Sequence, residues 1–310
     1  MVFFVLLEDI LAEYIYHCEA KGFTPKTMIN KRQEYKHFMK YLIDKRAVSE
    51  LESITVHELR AYFRLKQKGG LQPQSIVSMY KMINAFFNWC VKEEYLVENP
   101  MKKVEIPKIP KKVLNGFTQE EVQAMIGAFS FNDYLEARNK AIIAMMADCG
   151  LRAMEIRGLK SANVKETTIL VNGKGIKDRF AYISPALKKI LIKYERLKKQ
   201  YFIEKVAMED NYFLTYFGTG ISHVGLYNVI KEAGRRAGVE GKRVSPHTFR
   251  HFYAVQSLVS GNLDVYSLSR LLGHADISTT QKYLHSLNDE QLFDKAMSSS
   301  PLMNTGKKIK

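Results

Sequence analysis

Cysteine is scarce in this chain: Cys18, Cys90 and Cys149 are the only three in 310 residues. Their odd number and wide spacing argue against a disulfide framework and a zinc cluster, and a reducing compartment, the cytoplasm, is expected. Long apolar runs are missing too, and no stretch is long enough to span a bilayer. The apolar opening, residues 1–7, has no basic residues ahead of it and runs straight into Glu8 and Asp9. It reads as the start of an amphipathic helix rather than a secretion signal. There is no Walker-type loop, no clustered Asp/Glu metal site and no Cys/His cluster, so no cofactor is expected. Internal repeats are absent, and only residues 298–300 and the lysine-ended tail are low in complexity.

Acidic residues are also in short supply, with 32 Asp+Glu against 47 Lys+Arg and a formal net charge of +15. Up to Pro110 there are 17 basic and 13 acidic residues; beyond it there are 30 and 19. The larger part of the chain therefore carries most of the positive field. Such a field attracts polyanions, nucleic acid first and an anionic membrane surface second.

The length fits two domains. Residues 2–19 read as a helix, and Thr24-Pro25 as an N-cap with a first-turn proline before a second. A third helix covers 56–67, and a fourth begins near Pro73 with Ile76, Tyr80, Ile83, Phe87 and Val91 as its apolar stripe. Residues 1–100 thus form a helical domain. Residues 101–116, with two prolines and five lysines, read as an extended, exposed linker. The second domain, 117–310, starts with a capping box, Thr118 with Glu121. A long helix over 132–147 is broken by Asp148-Cys149-Gly150, which puts Arg152 at a helix junction. Two β-prone runs, 168–171 and 180–183, flank a glycine-rich turn that carries Lys174. A basic helix over 186–202 has Lys188, Lys189, Lys193, Lys198 and Lys199 on a solvated face. Residues 212–217 read as a buried aromatic segment, 226–238 as a helix with Lys231, Arg235 and Arg236 on its polar side, and 288–297 as a final helix. The fold class is mainly α with a small antiparallel β-hairpin in the second domain.

One stretch, residues 245–285, gathers the chemistry. Ser245 is the N-cap and Pro246 the first residue of a helix to about residue 259, ended by Gly261; His247 and Arg250 lie one turn apart on one face. A second helix stops at Gly273, so His274 sits on the turn after it, and a short helix from Ser278 or Thr279 carries Tyr283. A guanidinium, two imidazoles and a phenol brought together suit an anion and an oxygen nucleophile. Each also has a plainer reading as a surface, capping or packing residue. Tyr253 and Tyr266 are expected to pack on apolar faces, and His223, His251 and His285 to be structural.

The run HTFRHFYA followed by LLGHADISTTQKYLH resembles the H-x-x-R-H, L-G-H and T-T-x-x-Y boxes of the tyrosine recombinases, the phage-integrase and Xer-type site-specific DNA recombinases. GLRAMEI, residues 150–156, resembles their G-L-R-x-x-E-L box, and VNGKGIKDRF, residues 171–180, their lysine-bearing hairpin. Ile156 and Phe249 stand where the family more often has Leu, both apolar exchanges. The resemblance is strong from about Phe117 onward and extends to the first third only in general layout.

The resemblance implies DNA cleavage and rejoining through a 3′-phosphotyrosyl link, without ATP or metal. Arg152 and Arg250 would clamp the phosphate, because preorganised donors aimed at developing charge give the largest catalytic effect and a guanidinium grips two oxygens without losing its proton. His247 and His274 would add hydrogen bonds or move protons. Tyr283 would attack phosphorus, and Lys174 would protonate the leaving 5′ oxygen. Glu155 is an orienting partner rather than a base. Double-stranded DNA is the implied partner, with four protomers on paired sites, a first domain that clamps the duplex, a tail helix that docks on a neighbour, and no membrane; a need for accessory proteins stays open. Two alternatives stand beside this reading: a type IB topoisomerase-like relaxing enzyme, and an architectural DNA-binding factor that has the fold without the activity.

Overall fold

The computed structural model describes residues 6–107, 109, 115–172, 178–203, 205, 207–260, 263–284 and 293. The chain divides into two compact units, Met1–Lys112 and Val113–Lys310. The fold is mainly helical, with one two-stranded antiparallel sheet among the described residues. No described helix is long and apolar enough to cross a membrane.

In the first unit, α1 (Leu7–Ala20), α2 (Pro25–Arg46), α3 (Val56–Lys68) and α4 (Pro73–Lys92) pack around Tyr35, Phe38, Leu42, Tyr62, Ile83 and Phe87. Their starts follow local chemistry. Thr24 caps α2 ahead of Pro25, and Thr55 with Glu58 forms the capping box of α3, each meeting amide protons that the first turn leaves unpaired. The expected linker begins later than the sequence suggests. Pro100–Lys103 is a 3-10 turn, Met101 and Val104 are buried in this unit's core, and Tyr80 donates to the Met101 carbonyl at 3.1 Å. Two apolar anchors within a lysine-rich stretch hold it to the bundle.

The second unit contains α5 (Gln119–Gly127), α6 (Tyr134–Cys149), α7 (Ala153–Gly158), β1 (Thr168–Val171), β2 (Arg179–Tyr182), α8 (Pro185–Tyr201), α9 (His223–Arg236), α10 (Pro246–Val259), α11 (Val265–Leu272) and α12 (Ser278–Leu284). Helix α6 is central and packs against α5, α8, α9 and α10. Ala141, Ile142, Ile143, Met145 and Met146 are all fully buried, as a helix apolar on every side requires. Strands β1 and β2 pair from Thr168 with Tyr182 to Val171 with Arg179. A separate small core of Ala254, Leu258, Leu268, Leu272 and Tyr283 joins α10, α11 and α12.

Several expectations need correction. Asp148 and Cys149 belong to α6, which stops only at Gly150, where the backbone turns left-handed at φ 59°. Helix α9 begins at His223 because Ser222 caps it. In the aromatic run, Tyr212, Phe213 and Leu214 are buried, but Tyr216 and Phe217 are exposed, since Thr215 and Thr219 close a tight turn between them and the core. Lys198 leaves the solvated face of α8 to donate to the carbonyls of Asn211 and Tyr212; burial pulls its pKa down to about 8. Tyr266 is exposed rather than packed. Gly261 and most of the expected final helix, 288–297, lie outside the described residues. All three cysteines are free and buried.

Candidate active site

Three chain reversals deliver the site. At the end of α6, Gly150 lies so close to the Tyr253 ring that a β-carbon would stand 2.4 Å from it; glycine alone fits this left-handed, crowded position. Arg152 follows as the N-cap of α7. Its backbone N–H donates to Glu155 Oε2 at 2.7 Å and its Nη1 to Oε1 at 2.8 Å. Ser245 and Pro246 start α10, with the Ser245 hydroxyl accepting from the Thr248 amide, and Arg250 falls one turn later. Helix α11 ends at Gly273, φ 63°, where the Gly273 amide meets the Arg270 carbonyl and the His274 amide the Ser269 carbonyl. This paired closure satisfies two terminal carbonyls and turns the chain sharply.

The next three carbonyls go to three arginines. Arg179 Nε donates to Leu271 O at 2.8 Å, Arg250 Nη2 to Leu272 O at 2.5 Å, and Arg152 Nη2 to Gly273 O at 3.0 Å. Carbonyls at a helix C-terminus are unpaired and carry the negative end of the dipole, so cations gather there. Arg250 also donates through Nη1 to Gly150 O at 2.7 Å, so one guanidinium ties the end of α6 to the end of α11. Arg179 faces Glu155 fork to fork, both bonds at 2.8 Å. Glu155 is thus the carboxylate shared by Arg152 and Arg179.

His274 lies beside this network. Its Nε2 is 2.9 Å from Arg250 Nη2 and its Nδ1 2.7 Å from the Thr280 hydroxyl. The Tyr283 ring stacks near it, with centroids 6.2 Å apart and planes at 23°, and lies 5.5 Å from the ring of His251. Tyr283 is 6 % exposed and acts electrostatically on Arg250. The structure therefore brings together Arg152, Arg250, His274 and Tyr283. His247 is the exposed residue of an otherwise buried first turn of α10, within electrostatic reach of Arg250. His251 is buried with its Nδ1 unpaired, in contact with Gly116, where a β-carbon would come within 2.9 Å of its ring. Lys174 lies outside the described residues. Arg179 and Thr280 were not singled out in the sequence, although Thr280 is the second threonine of the T-T-x-x-Y run and Arg179 lies in the VNGKGIKDRF run.

The charges settle what each group can do. Burial pushes the Glu155 carboxyl up, but the Arg179 guanidinium, the Arg152 amide and the Arg152 side chain together bring it down to about 2, so it stays an anion. Burial and then Arg152 lower Arg250 to about 10, leaving it a cation at neutral pH. Burial, then Arg250 and Arg152, bring His274 down to about 4. That favours a neutral ring at His274, suited to the hydrogen-bonding role expected of it. Loss of hydration, then Arg250, also lowers His247. Arg250 keeps its Nε–H and one Nη1–H without a partner among the described residues, and Arg152 keeps a solvent-facing edge, its side chain being 42 % exposed. Two cationic edges beside a phenol form a cradle for a tetrahedral anion. No group of His, Cys, Asp and Glu among the described residues would hold a metal.

The chain matches the Phage integrase family over residues 115–290 and the Phage integrase SAM-like domain over residues 6–106. It is 24 % identical over 282 residues to the tyrosine recombinase XerD of Listeria innocua serovar 6a, covering 90 % of this chain and 94 % of that one. Among solved structures it resembles the XerH site-specific recombinase bound to palindromic difH substrate in a post-cleavage complex, with a TM-score of 0.73 at 20 % identity over 93 % of this chain and 83 % of that one. It also resembles a lambda integrase tetramer bound to a Holliday junction, with a TM-score of 0.71 at 17 % identity over 91 % of this chain and 78 % of that one. With more than half of its length matched by the family, this chain belongs to the phage integrase family, the tyrosine recombinases.

Proposed function

We propose that this protein is a site-specific recombinase in which Tyr283 is the nucleophile and Arg152 and Arg250 hold the scissile phosphate. The observation that carries this is the single network in which three arginines close the end of α11 while the Tyr283 ring stands next to His274. The Tyr283 hydroxyl gives up its proton to solvent as its oxygen forms a bond to phosphorus; the bond to the 5′ oxygen breaks, and that oxygen takes a proton. In the pentacoordinate transition state the extra charge on the nonbridging oxygens meets the two guanidiniums. Neutral His274 holds Arg250 by accepting a hydrogen bond from its Nη2, and His247 supplies a further hydrogen bond. Lys174 is the proposed proton donor to the leaving oxygen, on the strength of its place in the family's hairpin. A 5′ hydroxyl from a partner strand reverses the step and seals the exchanged strands.

The first unit, matched by the SAM-like domain, is proposed to clamp the duplex, and the strand exchange to take place in a tetramer on two DNA sites, in the cytoplasm. A DNA-bound recombinase and a junction-bound tetramer among the structural neighbours support this reading. The test is incubation with a pool of nicked duplexes of varied sequence, followed by sequencing of the covalently trapped DNA. A recombinase traps one site built on an inverted repeat. A relaxing enzyme traps DNA with little sequence preference, and a binding factor retards DNA without any adduct; either result would overturn the proposal.

A further inference from the structure

We infer that Arg179 is a positioning residue for DNA cleavage, holding Arg152 through Glu155 while anchoring the turn that follows α11. Resting on the assignment of Arg152 to the phosphate, the inference starts from geometry. Arg179 opens β2, far in sequence from both of its partners. Its Nη1 and Nη2 take the two oxygens of Glu155, each at 2.8 Å, and its Nε takes the Leu271 carbonyl at 2.8 Å. Its side chain is 10 % exposed, as is that of Glu155, whereas that of Arg152 is 42 % exposed. Arg179 is thus too buried to meet DNA, yet it fixes the carboxylate against which the exposed Arg152 is braced. Its stem also presses on the turn itself: a β-carbon on Gly273 would lie 2.9 Å from Arg179 Cδ. Since Gly273 O receives Arg152 and Leu272 O receives Arg250, Arg179 sets both the carboxylate and the carbonyl ledge used by the two phosphate-binding arginines.

Only a planar fork can do this. A lysine offers a point charge and cannot hold two carboxylate oxygens and a carbonyl in one plane. The groups that face Glu155 are Arg152 at its own helix cap, Arg179 from β2, Arg250 from α10 and His274 after α11. Arg179 is the largest of the influences that keep Glu155 ionised. Without it the carboxyl gains a proton more easily, and a protonated Glu155 no longer braces Arg152. The loss should therefore grow as the pH falls.

The experiment compares wild type, Arg179→Ala and Arg179→Lys for the rate of covalent attachment to a nicked DNA substrate, for DNA affinity, and for the variant-to-wild-type rate ratio between pH 5.5 and 8. Misplacement of a catalytic group by an ångström costs about 100-fold. Arg179→Ala should slow attachment by about that factor, with affinity within about 3-fold, and its rate ratio should drop further toward low pH. Arg179→Lys, which guards against a variant that fails to fold, should fall between the two with the same trend. Attachment at the wild-type rate, a parallel loss of DNA affinity, or a deficit equal at every pH would each overturn the inference while leaving the recombinase assignment intact. A wild-type protein that never attaches to DNA would overturn both.

Discussion

Arg250 Nη2 and His274 Nε2 stand 2.9 Å apart, and a guanidinium has only hydrogens to offer. The imidazole must therefore meet it with a lone pair, which puts the ring proton on Nδ1, donated to Thr280 Oγ1 at 2.7 Å. Tautomer and orientation are set from two sides, which fits the proposed part of the ring in holding Arg250. Thr280→Val removes the acceptor from a half-buried N–H while keeping the shape. It should cost about 1–3 kcal/mol in unfolding free energy and slow covalent attachment more than it weakens DNA binding, as read by denaturant melts and trapping assays.

The same pairing predicts a pH dependence of stability. His274 is held at about 4 in the folded chain, below its ordinary 6.5, by burial and then Arg250. Between those values the unfolded chain binds the proton that the folded one refuses. Stability from the neutral ring is therefore complete above about pH 6.5 and lost as the pH falls toward 4. His247 and His251 are lowered in the same direction. Chemical denaturation at pH 7 and pH 4.5 should show the loss, with at most about 3 kcal/mol of it due to His274. His274→Gln should flatten the slope.

Gly273→Ala tests the turn. The left-handed backbone costs a non-glycine residue about 1–2 kcal/mol, and the new methyl would push on Arg179 Cδ at 2.9 Å. Lower thermal stability is expected together with slower DNA attachment; a stability loss with full activity would mean that the turn does not control the arginines.

Glu155→Gln tests the shared carboxylate. It leaves Arg179 buried without its counter-charge, and breaking a buried pair in this way costs about 3 kcal/mol or more. A clear drop in the melting temperature should accompany slowed cleavage.

Much of this was legible in the sequence, for physical reasons. Thr118 with Glu121, and Ser245 with Pro246, mark helix starts because the chemistry that caps a helix is local. Gly150 and Gly273 mark the two ends on which the site is built, since both need left-handed backbone. What could not be read depended on distant partners. The partners of Arg179 lie 24 and 92 residues away. Lys198 sits on the polar side of its helix by periodicity, yet the Tyr212 carbonyl draws it in. Met101 and Val104 were hidden by the lysines around them, and Tyr216 and Phe217, apolar in type, are lifted outward by a turn. Local signals fix where elements begin and end; side-chain partners are fixed by packing.

The central claim is that the Tyr283 oxygen becomes bonded to DNA. The most direct measurement traps wild-type protein on a nicked duplex, digests the complex and locates the nucleotide-bearing peptide by mass spectrometry. The account predicts one adduct, on the peptide containing Tyr283, abolished in Tyr283→Phe while DNA affinity is retained. An adduct on another tyrosine, or one that persists in Tyr283→Phe, would contradict it.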